Sequence, residues 1–205
     1  MSSLLGALTA LLLATPMVAP PSPATEVAIE AEVWRIVPAS SRVQFRVRLF
    51  GVVPVSGSFP AIEGAITIDA AARRARVDAD VDAREVRMRR RSHAAWARSS
   101  EFFDADAHPQ IRFESDAFPL ARLDGGGAIQ GRLTVRGITR PAAFTIEHAR
   151  CEAVFAPRRK GAPARRCQVE LAGAIDRSAF GMRTRGGTLA NRVSLRFLIE
   201  AAAAP

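Results

Sequence analysis

Val43-Gln44-Phe45-Arg46-Val47-Arg48-Leu49 alternates without a fault: Val43, Phe45, Val47 and Leu49 fall on one side of an extended chain, Gln44, Arg46 and Arg48 on the other. Successive side chains of a β-strand point to opposite faces, so this stretch reads as a strand with one buried and one wet face. The same period recurs in both directions. Trp34 and Ile36 precede it, and Ile66 and Ile68 follow it. Val77, Ala79 and Val81 alternate with Asp78, Asp80 and Asp82, Ile111 and Phe113 with Arg112 and Glu114, and Leu133 and Val135 with Thr134 and Arg136. Phe144 and Ile146, Val169 and Leu171, and finally Val193, Leu195 and Phe197 complete about nine amphipathic strands.

Gly51, Pro54 and Gly57 read as a break after the second strand, and Asp124-Gly125-Gly126-Gly127 as a tight connection. Residues 137–141 and Gly186-Gly187 read as further breaks. No helical stripe separates successive strands, which excludes a parallel βαβ architecture. Residues 88–99 (MRRRSHAAWARS) are the best helical candidate, a short helix or ordered loop. One apolar face per strand leaves an antiparallel sandwich or a closed barrel. A barrel removes sheet edges, and at about eight strands its interior has room for one small ligand. Periodicity leaves the two open.

Composition bounds the partners. The chain has 205 residues and a net charge of +9, almost all of its positive charge from arginine, since Lys160 is the lone lysine. Such a balance attracts anionic groups, or it reflects nothing more than a GC-rich genome. Nucleic acid is not expected: aromatic residues are 6%, there is no tyrosine for stacking, and no binding motif appears. Residues 4–14 (LLGALTALLLA) are too short to cross a bilayer but suit the apolar region of a secretory signal. Small residues around Ser22-Pro23-Ala24 offer a cleavage site, although no basic residue occurs before Arg35. The expected organisation is a signal peptide over 1–24, a linker over 25–31, a barrel domain over 32–200 and a tail over 201–205, in an exported, periplasmic protein that does not span a membrane. Cys151 and Cys167, the only cysteines, are expected to form one disulfide in that oxidising compartment. Neither they nor His93, His108 and His148 show metal-ligand spacing.

Four ordered stretches then carry a resemblance. They are Phe45 with Gly57-x-Phe59 and Gly64-x-Ile66-x-Ile68-Asp69, followed by Ser100-Glu101-Phe102-Phe103-Asp104 with His108-Pro109-x-Ile111-x-Phe113-x-Ser115. Next come Gly131-x-Leu133-Thr134-x-x-Gly137-Ile138-Thr139-x-Pro141 and Arg177-Ser178-x-Phe180-Gly181-Met182 with Val193-x-Leu195. Together they resemble the YceI-like family across residues 32–200. The resemblance implies an all-β, extended antiparallel eight-stranded lipocalin-like barrel. It also implies a tubular interior for a polyisoprenoid or similar amphiphile, a quinone-type lipid included, with no catalytic set and no other cofactor. Where the family often has Asp-x-x-His-Ser, this chain has Val37-Pro38-Ala39-Ser40-Ser41, and Leu49-Phe50-Gly51 lacks the histidine that often precedes Leu-Gly. Head-group contacts are therefore not carried over.

The expected lipid lining is Phe45 and Val47, Ile66 and Ile68, Ile111 and Phe113, Leu133 and Val135, Phe144 and Ile146, and Leu195 and Phe197. Arg89, Arg183 and Arg185 are candidate head-group residues, suited by their forked donors to an anion. The expected function is non-catalytic binding, transport or sequestration of a long-chain isoprenoid or similar lipid, and a homodimer is left open. Two alternatives stand beside it. A cyclase-like barrel enzyme would need inward-facing His148, Asp176 or Arg177, and a structural barrel would have a filled core.

Overall fold

The computed structural model describes residues 31–151, 165–183 and 187–203. The segment read as an export signal lies outside them, as does Arg185. The first half of the fold comprises β1 (Glu32–Ile36), β2 (Arg42–Leu49), β3 (Val53–Phe59), β4 (Glu63–Asp69), β5 (Arg74–Asp82), β6 (Arg87–Met88) and helix α1 (Arg91–Arg98). The second half comprises β7 (Gln110–Ser115), β8 (Phe118–Pro119), α2 (Arg122–Gly125), β9 (Gly127–Val135), β10 (Ile138–Cys151), β11 (Arg166–Asp176) and β12 (Arg192–Ala203).

Eight strands form a ring in the order β1-β4-β5-β7-β9-β10-β11-β12, and β12 returns to β1, where Trp34 faces Ala203 and Ile36 faces Ala201. All these pairs are antiparallel. The choice between sandwich and barrel is thus settled by closure, which leaves the ring without a free edge.

Strand β12 serves two neighbours. Its first half pairs with β2, Ser194 opposite Arg46 and Leu198 opposite Arg42, and its last residues pair with β1. Between β1 and β2 the chain kinks through a 3-10 turn at Pro38–Ser40, which breaks the ladder. Buried Ser41 repairs it: its hydroxyl donates to the Glu200 carbonyl at 3.3 Å and accepts from the Glu200 N–H at 3.0 Å. Strand β3 pairs with β2 and lengthens the wall beyond the ring.

Three breaks expected from the sequence are not breaks. Pro54 and Gly57 lie within β3, opposite Arg48 and Phe45. Pro141 lies within β10 opposite Arg132, and the turn before it is only Arg136-Gly137. Pro141 is tolerated because the β10–β11 pairing starts at Phe144, so no neighbouring strand needs its missing N–H.

A β-bulge in β10 sets the other side of the barrel. Ile146 faces Leu171, but His148 faces Glu170, so Glu147 is an extra residue. The bulge inverts the inside–outside phase, and His148 is exposed rather than continuing the Phe144/Ile146 face. It also moves the register by one. Without it Cys151 would face Arg166; with it Cys151 faces Cys167, and the two are joined by a disulfide.

Burial follows the alternation. Trp34, Ile62, Ile66, Ile68, Leu120 and Phe144 are among the most enclosed apolar side chains, each contributing about 1.5–3 kcal/mol. Outside, Arg112 lies 3.7 Å from Asp78, 3.9 Å from Asp80 and 3.4 Å from Glu114. These exposed pairs add little, about 0–1 kcal/mol each.

Candidate functional site

The inward faces of the strands do not meet at the barrel axis. They enclose a cavity of about 250 Å³ lined almost wholly by apolar side chains. Val43, Phe45, Val47 and Leu49 supply one wall from β2, and Val193, Leu195, Phe197 and Ile199 another from β12. Both strands place every second residue inward, so the sequence alternation is the direct cause of an apolar wall.

Three inward glycines keep that wall thin. A Cβ on Gly57 would stand 2.2 Å from Phe45 Cζ, and one on Gly173 would stand 2.6 Å from Phe144 Cδ1. One on Gly131 would stand 2.9 Å from Phe113 Cζ. At Gly57 and Gly173 the aromatic ring fills the place of the missing side chain, whereas at Gly131 the Glu114 carbonyl, 2.3 Å from such a Cβ, comes closer than the ring. The space these rings leave at the centre belongs to the cavity.

Residues after β6 complete the lining. His93, Trp96 and Ala97 of α1 face the cavity together with Phe102 and Phe103. Phe103 meets Phe59 at 5.4 Å and Phe45 at 6.1 Å between ring centroids, both edge-on. Phe102 meets Trp96 at 4.3 Å. The pair is therefore anchored by aromatic packing rather than exposed.

Ten of the twelve side chains expected to line the interior do face the cavity: Phe45, Val47, Ile66, Ile111, Phe113, Leu133, Val135, Phe144, Leu195 and Phe197. Ile68 and Ile146 are buried, at 2% and 3% exposure, but in the solid core outside the cavity lining. Arg89 and Arg183 are exposed and lie outside the lining too.

Besides His93, a charged group that sequence reasoning passed over as a head-group candidate reaches the wall. Arg177 is 2% exposed and lines the cavity beside Phe102, with its guanidinium carbon 5.9 Å from that ring centre. It donates to the Leu189 carbonyl at 2.9 Å, to the Ala190 carbonyl at 3.1 Å and to the Met182 carbonyl. Burial pushes its pKa below the usual arginine value, against the attraction of Asp176. The signal was its place in the Arg177-Ser178-x-Phe180-Gly181-Met182 stretch, directly after a strand end. Asp176 itself points outward and accepts from the Ser178 N–H at 2.8 Å and the Ser178 hydroxyl at 2.6 Å. Of the three groups an enzyme reading asked for, only Arg177 faces inward, and main-chain carbonyls hold it.

Among the described residues no cluster of His, Cys, Asp and Glu is arranged to hold a metal ion. None of their helices is long and apolar enough to cross a membrane. What this arrangement can do chemically is enclose an apolar molecule away from water.

The family model described as the YceI-like domain matches residues 34–201. No curated protein matches the chain. Among solved structures, BcnA of Burkholderia cenocepacia superposes with a TM-score of 0.62 at 20% identity, covering 80% of this chain and 98% of that one. A polyisoprenoid binding domain from Saccharophagus degradans, implicated in plant cell wall breakdown, gives 0.60 at 12% identity, covering 83% and 98%. The YceI protein of Campylobacter jejuni gives 0.57 at 21% identity, covering 73% and 85%. At these identities the structural likeness speaks to the fold alone.

Proposed function

The chain belongs to the YceI-like domain family, and from that premise we propose that it binds and carries a long-chain isoprenoid or similar amphiphilic lipid, without catalysis. The observation that supports this most is the apolar cavity of about 250 Å³. Enclosing an apolar tail contributes about 0.8 kcal/mol per CH₂, so a ten-carbon stretch supplies roughly 8 kcal/mol before ordering costs. The polyisoprenoid-binding description of the Saccharophagus degradans relative agrees with the same ligand class.

The compartment is part of the proposal. The N-terminal apolar run and the Cys151–Cys167 bridge agree with export to an oxidising periplasm. The polar end of the ligand is taken to sit outside the apolar wall, since the Arg177 guanidinium that reaches it is held by carbonyls.

Native mass spectrometry of the protein purified from its own periplasm, followed by solvent extraction, tests the reading. A retained apolar molecule that is lost in Phe113→Arg and Leu133→Arg, with circular dichroism unchanged, is the expected result. Ligand-free protein in every preparation sinks it.

A further inference from the structure

The hairpin joining β2 to β3 has an unusual tip. Val52 N–H donates to the Leu49 carbonyl at 3.2 Å, and the two residues between them, Phe50 (φ +50°) and Gly51 (φ +72°), are both left-handed. This is the primed turn that suits strand twist, and its first central position favours Asn, Asp or Gly. A bulky aromatic there is strained. The β9–β10 turn has a left-handed residue too, Arg136, but its side chain is tied to the Gly181 carbonyl at 3.2 Å and lies 3.9 Å from Asp104. Phe50 has no such burial to show for its strain: it is 65% exposed, beside Val52 at 71% and Val53 at 50%. Among the described residues only Val33 is a further exposed large apolar side chain.

Charge frames the tip. Arg46 and Arg48 of β2 point outward, as does Arg192, two residues before the Ser194 that pairs with Arg46. None of the three forms an ion pair among the described residues. Asp176 lies opposite Arg192 across β11 and β12, but its carboxylate is engaged by Ser178. The tip is also continuous with the cavity: Leu49, Val55 and Leu189 line it, and Leu49 is bridged to Leu189.

We propose that this hairpin tip docks the barrel on an anionic phospholipid surface. Phe50, Val52 and Val53 enter the boundary between head groups and acyl chains, and Arg46, Arg48 and Arg192 meet the phosphates. Three features select this occupant. The side chains at the tip are apolar, the flanking cations are arginines without an ion pair among the described residues and with forks that fit phosphate, and the chain carries a net charge of +9. Docked this way, the cavity wall at Leu49 and Leu189 abuts the bilayer. The claim goes beyond ligand binding and fails separately from it, because none of the docking side chains lines the cavity.

Co-sedimentation of the full chain with vesicles of phosphatidylcholine, alone or mixed three to one with phosphatidylglycerol, tests it. Binding is expected only to the anionic vesicles and is weakened by salt. Phe50→Asn lowers that binding by about tenfold or more, and Arg48→Gln by about fivefold. Phe50→Asn also places the favoured Asn-Gly pair at the turn, so its melting temperature holds or rises and any lipid extracted from it is unchanged. Absence of binding to anionic vesicles overturns the proposal, as does a Phe50→Asn chain that binds like the parent. A dimer that Phe50→Asn dissociates, without vesicle binding, assigns the tip to a second copy and overturns it too.

Discussion

Phe144 lies opposite Gly173 in the β10–β11 register, and its ring occupies the space a side chain on that glycine would fill. The ring also meets Phe113 at 5.1 Å and Phe197 at 4.7 Å, both steeply inclined, so one aromatic chain runs along the wall of the cavity. Phe45 stands to Gly57 as Phe144 stands to Gly173. A large residue paired with an absent one keeps the wall apolar without filling the centre.

Gly173→Val tests that relationship. The new side chain meets Phe144 Cδ1 and the Ala143 carbonyl, so overpacking is expected to cost about 1–3 kcal/mol in urea unfolding. The displaced ring takes up cavity space, and lipid retention falls with stability. A variant as stable as the parent, with its ligand intact, contradicts the wall assignment.

Arg177 is expected to act as a strut. Arg177→Met leaves the carbonyls of Met182, Leu189 and Ala190 without their buried donor, for a loss of about 2–4 kcal/mol. Arg177→Lys keeps the charge but not the fork, and falls between the two. Midpoints from chemical denaturation give the ranking, and a lysine variant equal to the parent would remove the argument from geometry.

Asp80 sets a pH dependence. Burial raises its pKa above the ordinary carboxylate value, opposed by Arg112 and reinforced by Asp78 and Glu114. The folded state thus favours the protonated form. Its stabilising contribution is complete below the unfolded value, near about pH 3.9, and is lost as pH rises through the raised one. Asp80→Asn, which keeps an acceptor for Gln110, should therefore raise the urea midpoint at neutral pH, with the gain shrinking on acidification. An equal gain at both pH values would point to another cause.

The disulfide closes a segment of sixteen positions. Replacing Cys151 and Cys167 by serine is expected to cost about 3 kcal/mol, chiefly through the freedom returned to the unfolded chain. Adding a reductant to the parent should move its melting curve toward that of the double variant, and leave the variant's own curve in place.

Much of this was legible in residues 43–49 and their counterparts, because alternation is a local property of an extended backbone. It named the inward face of β2, β5, β7, β9 and β12 and most of the cavity lining. It misplaced Pro54, Gly57 and Pro141 because proline and glycine mark turns only on average. Inside this sheet Pro141 pairs with β9 but has no strand on its other side until Phe144, and Gly57 answers the ring of Phe45. Arg177 stands in the sequence only as a group an enzyme would need inward, because nothing local shows that the carbonyls of Met182, Leu189 and Ala190 hold its fork.

The sequence by itself therefore determined the strands, their apolar faces and the family to which the chain belongs. Tertiary structure alone decided the closure of β12 on β1, the bulge that turns His148 outward and brings Cys151 opposite Cys167, and the cavity left between the walls. Period two is written into each strand, whereas register and closure depend on which residue of a distant strand lies opposite, and no single strand carries that information.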